Sequence, residues 1–158
     1  MFKKLLLLSA LFTFAACEDV KLNNATTATS TVNTTASATT AEAVANQLFE
    51  HFNAHDWAKM ADLYDPNADF LDPSYGTKTV KQTHEQLVQK YNELQQLIPD
   101  IHDSIVGIYP SGDKTVTVRF VGTGTAPDKT KFETPICAVL MVENGKIVQD
   151  YTYYNEDK

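Results

Sequence analysis

VANQLFEHFNAHDWAKMADLYDPNADFLDP, residues Val44 to Pro73, holds two short amphipathic helices, a turn and a strand. Val44, Leu48 and Phe52 recur every four residues with Ala45 and Phe49 beside them, which makes one apolar helical face. Asn53 and Ala54 break that pattern before His55. Asp56 then caps a second helix by accepting from free backbone N–H groups. In this helix Trp57, Met60, Ala61 and Tyr64 fall at i, i+3, i+4 and i+7. Asp65-Pro66-Asn67 predicts a turn, because Asp bonds its own backbone and Pro fixes φ. Ala68 to Asp72 reads as a short strand stopped by Pro73.

The pattern continues on both sides. Thr39 and Glu42 are spaced as a capping box that opens the first helix, and Thr83 with Gln86 opens a third. Leu87, Val88, Tyr91, Leu94 and Ile98 mark the buried face of that third helix, and Pro99 ends it. Lys78 to Gln82 predicts a short edge strand. From Ile101 the period becomes two. Strands are expected over Ile101–Tyr109, Lys114–Thr125, Phe132–Val142 and Lys146–Tyr154, with a turn at Pro110-Ser111-Gly112-Asp113 and a hairpin at Asn144-Gly145. Four successive strands without intervening helices make an antiparallel sheet, so the class is α+β.

Two motifs carry a family resemblance. One is the Asn53-Ala54-x-Asp56 break followed by Leu63-Tyr64-Asp65-Pro66-x-Ala68 and Asp72-Pro73. The other is Asn144-Gly145-Lys146-Ile147-Val148, then an acid and aromatic residues to Tyr154. Together they resemble the nuclear transport factor 2-like superfamily, which includes SnoaL-like polyketide cyclases and ketosteroid isomerase. The resemblance covers about Ala41 to Asn155. It implies a cone-shaped, strongly curved antiparallel sheet with three N-terminal helices covering the concave face over a pocket. It also implies a choice of roles, because this fold carries many chemistries.

The implied pocket is apolar, lined by Leu48, Phe52, Tyr64, Tyr91, Val118, Phe120, Ala138, Thr152 and Tyr154, with Asp72 and Asp150 as candidate acid–base groups. The resemblance places Asp72 where ketosteroid isomerase keeps its general base. It places Leu48 and Ala138 where that enzyme keeps its oxyanion tyrosine and protonated aspartic acid, and neither residue can donate a hydrogen bond. Binding of a small, largely apolar ligand is the leading expectation. An isomerase, cyclase or dehydratase using Asp72 or Asp150, and an interaction module with a vestigial pocket, are the alternatives. Two carboxylates in one such pocket disfavour each other's ionisation, and desolvation raises at least one pKa.

Of the 158 residues 43% are hydrophobic and 21% charged, which fits one soluble domain. The net charge of −7 becomes −9 without Lys3 and Lys4. So acidic a chain, with no basic cluster, argues against nucleic acid as a partner. Cys17 and Cys137 make no Cys-x-x-Cys, and the histidines show no HExxH spacing. No metal or cofactor is expected. His51, His55, His84 and His102 read as solvated surface residues, and Cys137 as a small core or interface residue.

The first residues differ in kind. Lys3 and Lys4, the apolar run Leu5 to Phe14, and Ala15-Ala16 form a signal peptide over 1–16. Cys17 then resembles the acylated cysteine of a bacterial lipobox, although Phe14 stands where an aliphatic residue is usual. Residues 17–40 are rich in Thr, Ala and Ser and read as a flexible tether. The folded domain is expected over 41–158. These features predict an envelope lipoprotein held to the membrane through Cys17. Val139, Met141, Tyr151 and Tyr153 would leave an apolar patch on the convex sheet face, where the resemblance implies a homodimer.

Overall fold

The structure, a computed structural model, describes residues 40–155. The expected signal peptide, Cys17 and the expected tether up to Thr39 lie outside the described residues. Three helices, α1 (Ala41–Asn53), α2 (Trp57–Ala61) and α3 (His84–Leu97), pack on a six-stranded sheet. Its strands are β1 (Tyr64–Leu71), β2 (Val80–Lys81), β3 (His102–Ser111), β4 (Thr115–Thr125), β5 (Lys131–Glu143) and β6 (Lys146–Tyr153). The order across the sheet is β2-β1-β6-β5-β4-β3, and the curved sheet stays open.

Local chemistry explains the element ends. Thr40 caps α1 by accepting from the Ala43 N–H at 3.2 Å, one residue later than the Thr39 box predicts. Asp56 caps α2 by accepting from the Lys59 N–H. Thr83 and Gln86 form a complete capping box at α3. At Asn144-Gly145 both residues have positive φ, the conformation a two-residue hairpin needs to match strand twist.

The expected antiparallel run holds from β3 to β6, and β1 adds one parallel pairing to β6. β1 also begins four residues before the expected start at Ala68, because Tyr64 pairs with Ile147. The predicted turn chemistry is present inside the strand. Asp65 accepts from the Asn67 N–H at 2.8 Å, and the register slips between Tyr64 and Asp69. A bulge absorbs Pro66, which cannot donate to a ladder.

The inner face of the sheet and the apolar faces of the helices form one core. Val116, Val118, Leu140 and Ile147 are fully buried against Val44, Ala45 and Met60. Trp57 ties the helices to the start of β3. Its indole N–H donates to Gln95 Oε1 at 2.9 Å, and Gln95 donates to His55 Nδ1 at 2.8 Å. His55 Nε2 then faces the Ile101 carbonyl at 2.9 Å, which assigns the proton to Nε2. His84 likewise meets the Tyr64 carbonyl at 2.9 Å. These two histidines are therefore structural, not solvated as the sequence reading expects.

On the opposite face, Cys137, Val139, Met141 and Tyr151 are half-buried and Tyr153 is exposed. None of the five packs into the core cluster.

Candidate functional site

Between the helices and the inner face of the sheet lies a cavity of about 350 Å³. Its wall is mostly aliphatic and aromatic, with Leu48, Phe49 and Phe52 from α1, Leu87, Tyr91 and Leu94 from α3, and Phe120 and Ala138 from the sheet. A bulge between Ile147 and Gln149 resets the phase of β6, so that Asp150 and Thr152 face inward like the buried Ile147, and Tyr154 just beyond the strand joins them in the wall. Asp72 and Tyr64 also line it. Ten of the eleven residues expected around the pocket thus meet at one cavity. Val118 does not. It is 0% exposed, beneath the wall between Ile108 and Ala138 on the neighbouring strands, and belongs to the core.

Asp72 leaves β1 extended and caps the 3₁₀ turn Pro73–Tyr75. It accepts from the Ser74 N–H at 2.7 Å, the Ser74 hydroxyl at 2.5 Å and the Tyr154 hydroxyl at 3.1 Å. Lys90 of α3 stands 3.4 Å from its other oxygen and donates to Ser74 Oγ at 2.9 Å. Burial alone would raise the Asp72 pKa, but the Lys90 charge and the bonds from Ser74 and Tyr154 outweigh it. The carboxyl ends below its ordinary value. Capping a turn and facing the cavity are the same placement here.

Asp150 has the opposite balance. It accepts from Tyr64 Oη at 2.7 Å and Thr152 Oγ1 at 2.9 Å. The surface it keeps belongs to the cavity wall. Burial pushes its pKa up, the Asp72 charge adds to that, and the two hydroxyls and Lys90 offset only part. Burial, then the Asp150 charge, raises the Tyr64 phenol well above its usual value, so it remains a donor. Tyr91 is raised in the same way. Tyr75, pushed up to about 12 first by burial and then by Asp72, has a buried hydroxyl with no partner among the described residues. The Lys90 ammonium lies 4.0 Å from the centre of the Tyr75 ring.

A third carboxyl escaped the sequence reading. Asp103 of β3 is 8% exposed and also lines the cavity. Its backbone is clamped by the Asn53 side chain, which donates to the Asp103 carbonyl at 2.8 Å and accepts from its N–H at 2.8 Å. Across the ladder it faces Gly122, and a Cβ there would stand 3.2 Å from Asp103 Oδ1. The missing side chain at Gly122 makes the space the carboxyl occupies. Burial raises the Asp103 pKa to about 7. One signal in the sequence was available: Asp103 lies in phase with Ile101 on an alternating strand. Lys90, three residues after Leu87 on the buried helix face, carried a similar one.

Chemically, the Asp72–Lys90 end offers an ionised carboxylate with an ammonium. Beside it, Asp150 and Tyr64 form a carboxyl and phenol pair able to hold or pass a proton. Leu48 and Ala138 line the cavity without a polar group to offer. Among the described residues no group of three or more His, Cys, Asp or Glu side chains is placed to hold a metal.

The model of the SnoaL-like domain matches residues 45–150, and the chain belongs to that family, within the nuclear transport factor 2-like superfamily. Several solved structures share the fold. One is a hypothetical protein from Catenulispora acidiphila with a ketosteroid isomerase-like fold, solved with trimethylamine. It is 19% identical, covers 71% of this chain and 85% of its own, and has a TM-score of 0.63. IdmH, a candidate polyketide cyclase from Streptomyces antibioticus, is 23% identical over 72% of this chain and 91% of its own, with a TM-score of 0.63. A candidate SnoaL-like polyketide cyclase from Shewanella putrefaciens is 13% identical over 72% and 78%, with a TM-score of 0.60. No curated protein matches the chain.

Proposed function

We propose that the domain binds a small, largely apolar molecule in the cavity between helices and sheet. One observation carries this reading: a cavity of about 350 Å³ has apolar walls and a few polar groups fixed in them. That combination is typical of small-molecule sites. The apolar body of the ligand would pack on Phe52, Tyr91 and Phe120, and the polar groups would orient it. The size of the cavity disfavours a module whose pocket is vestigial. N-phenyl-1-naphthylamine, a neutral apolar fluorophore, should bind saturably at one site per chain, and Ala138→Trp should abolish the signal. Fluorescence that never saturates, or that survives Ala138→Trp, contradicts the reading.

A second reading rests on Asp150. A buried carboxyl with a raised pKa, bonded to a phenol that remains a donor, has the parts of a general acid–base pair. An isomerase, cyclase or dehydratase would use Asp150, or the ionised Asp72, to move a proton next to a carbonyl, with Tyr64 donating to the oxygen. Exchange of α-hydrogens of a bound cyclic ketone with deuterated solvent would support it. Exchange that persists in Asp150→Asn and Asp72→Asn would exclude both bases.

We also propose that the chain is a bacterial envelope lipoprotein anchored through acylated Cys17, and that it pairs with a second copy through the Val139, Met141, Tyr151 and Tyr153 face. The leader, Ala15-Ala16-Cys17 and the tether support the first. The unpacked apolar face supports the second. Intact mass of the membrane fraction should show a lipid increment lost in Cys17→Ser. Sedimentation should show a dimer, and a monomer at high micromolar concentration overturns the pairing.

A further inference from the structure

We propose that Asp103 is the anchor for a basic amine nitrogen, so that the ligand of this cavity is a small amphiphilic amine whose apolar body fills the chamber. This rests on the reading that the cavity binds a ligand, and it goes further by assigning a ligand class and a contact residue.

The carboxyls of the cavity fall into two sets. Asp72 and Asp150 have their donors from the protein, in Ser74, Tyr154, Lys90, Tyr64 and Thr152. Asp103 has none. No hydrogen bond reaches its carboxyl oxygens and no ion pair includes it among the described residues, although both its backbone groups are bonded by Asn53. The residue is 8% exposed and lines the cavity, so what surface its carboxyl keeps faces the place where a ligand would sit, and a largely buried carboxyl without a donor is costly. The carboxyl is nevertheless built in. Gly122 vacates the space it occupies, Asn53 fixes its strand, and the His55 and Gln95 network pins the neighbouring Ile101.

The missing donor must therefore come from the occupant, and the charge of the site selects a cation. The cavity holds three carboxyls and one ammonium, and that ammonium is engaged by Asp72. Among the described residues no protein cation competes at Asp103. Arg119 and His102 are exposed, and His55 is committed to Ile101 and Gln95. With burial alone holding the Asp103 pKa at about 7, an incoming ammonium meets a carboxyl that ionises at little cost near neutral pH. The aromatic rings in the wall accept the hydrocarbon and offer cation–π faces to the charged end.

Three probes of one shape test this: 1-aminoadamantane, 1-adamantanol and 2-adamantanone, measured by calorimetry at pH 8 on the full chain. The amine is expected to bind about tenfold or more tighter than the alcohol and the ketone, as a charge-assisted bond requires. Asp103→Asn should bring amine and alcohol within about twofold of each other. A readout in the unmutated protein stands beside the variant: carboxyl-carbon NMR should show the Asp103 titration moving below 7 when the amine is bound. Equal binding of the three probes, or a ketone preference, overturns the amine while leaving the cavity reading intact. An amine preference that survives Asp103→Asn, or an unmoved Asp103 titration, overturns Asp103 as the anchor. Binding of none of the three contradicts both this inference and the cavity reading.

Discussion

Asp72 and Asp103 line the same cavity, are both withdrawn from water, and are tuned in opposite directions. At Asp72 the chain supplies a backbone N–H, two hydroxyls and an ammonium, and the carboxyl is held below its ordinary range. At Asp103 it supplies none among the described residues, and burial lifts the carboxyl to about 7. Asp150 is a mixed case, with two hydroxyl donors that burial still outweighs, so its carboxyl is also raised. Burial thus pushes every carboxyl in this chamber upward, and a nearby cation together with hydrogen-bond donors reverses the push only at Asp72. The protein supplies donors to the carboxyl at one end of the cavity and, among the described residues, none to the carboxyl on β3.

The contrast has opposite consequences for stability. Asp103 keeps its proton in the fold up to about pH 7, whereas in the unfolded chain it loses it near 3.8. Its contribution is whole below the unfolded value and is lost as pH rises through the folded one. Asp72, with a lowered pKa, contributes above the unfolded value and loses that contribution as pH falls. The largest effect is therefore expected from Asp103→Asn, which cannot ionise. Relative to its effect at pH 4, this variant should gain on the order of 2–4 kcal/mol at pH 8, an upper range because the shift is large and buried. Urea unfolding at the two pH values measures it, and a difference that does not depend on pH would remove the contrast.

Lys90→Met tests the other end. It leaves Asp72 with hydroxyl and N–H donors but no cation, so the Asp72 pKa should rise. Stability at pH 7 should fall by about 1–3 kcal/mol, less than for a sealed pair because both side chains keep some exposure. In an Asp72→Asn background the same change should do much less. Equal losses in both backgrounds would show that Lys90 acts through packing on Tyr75 and not through charge.

The smallest effect sharpens the middle case. Tyr64→Phe removes the 2.7 Å bond to Asp150 and should cost about 1 kcal/mol. It should also push the Asp150 pKa further up, because the phenol is a donor to the charged form. An Asp150 titration unchanged by Tyr64→Phe would mean that the hydroxyl does not tune the carboxyl.

Much of this was legible in the chain because it is local. The Val44, Leu48 and Phe52 spacing, the Asp56 cap, the Thr83–Gln86 box and the Asn144-Gly145 hairpin each need only a few neighbouring residues, and each appears in the fold. The family resemblance turned Asp150 and Thr152 inward, whereas alternation counted from the buried Ile147 would turn them outward; a bulge between Ile147 and Gln149 restores the phase. The remainder depends on long-range placement. The parallel pairing of β1 with β6 joins segments about eighty residues apart, and no local pattern encodes it. Val118 alternates correctly, yet it is fully buried in the core and does not reach the cavity that Phe120, two residues on, lines. Asp103 gains its role from a glycine on the next strand and an asparagine on the first helix. Lys90 reaches Asp72 only once α3 has docked.

The most direct measurement is a single carboxyl-carbon NMR titration of ligand-free protein in which Asp72, Asp103 and Asp150 are assigned. The expected result is three separate curves, with Asp72 below the ordinary carboxyl range, Asp150 above it and Asp103 near 7. Asp103 titrating with the exposed aspartates, or Asp72 titrating above Asp150, would contradict one chamber in which the protein supplies donors to Asp72 and leaves Asp103 without them.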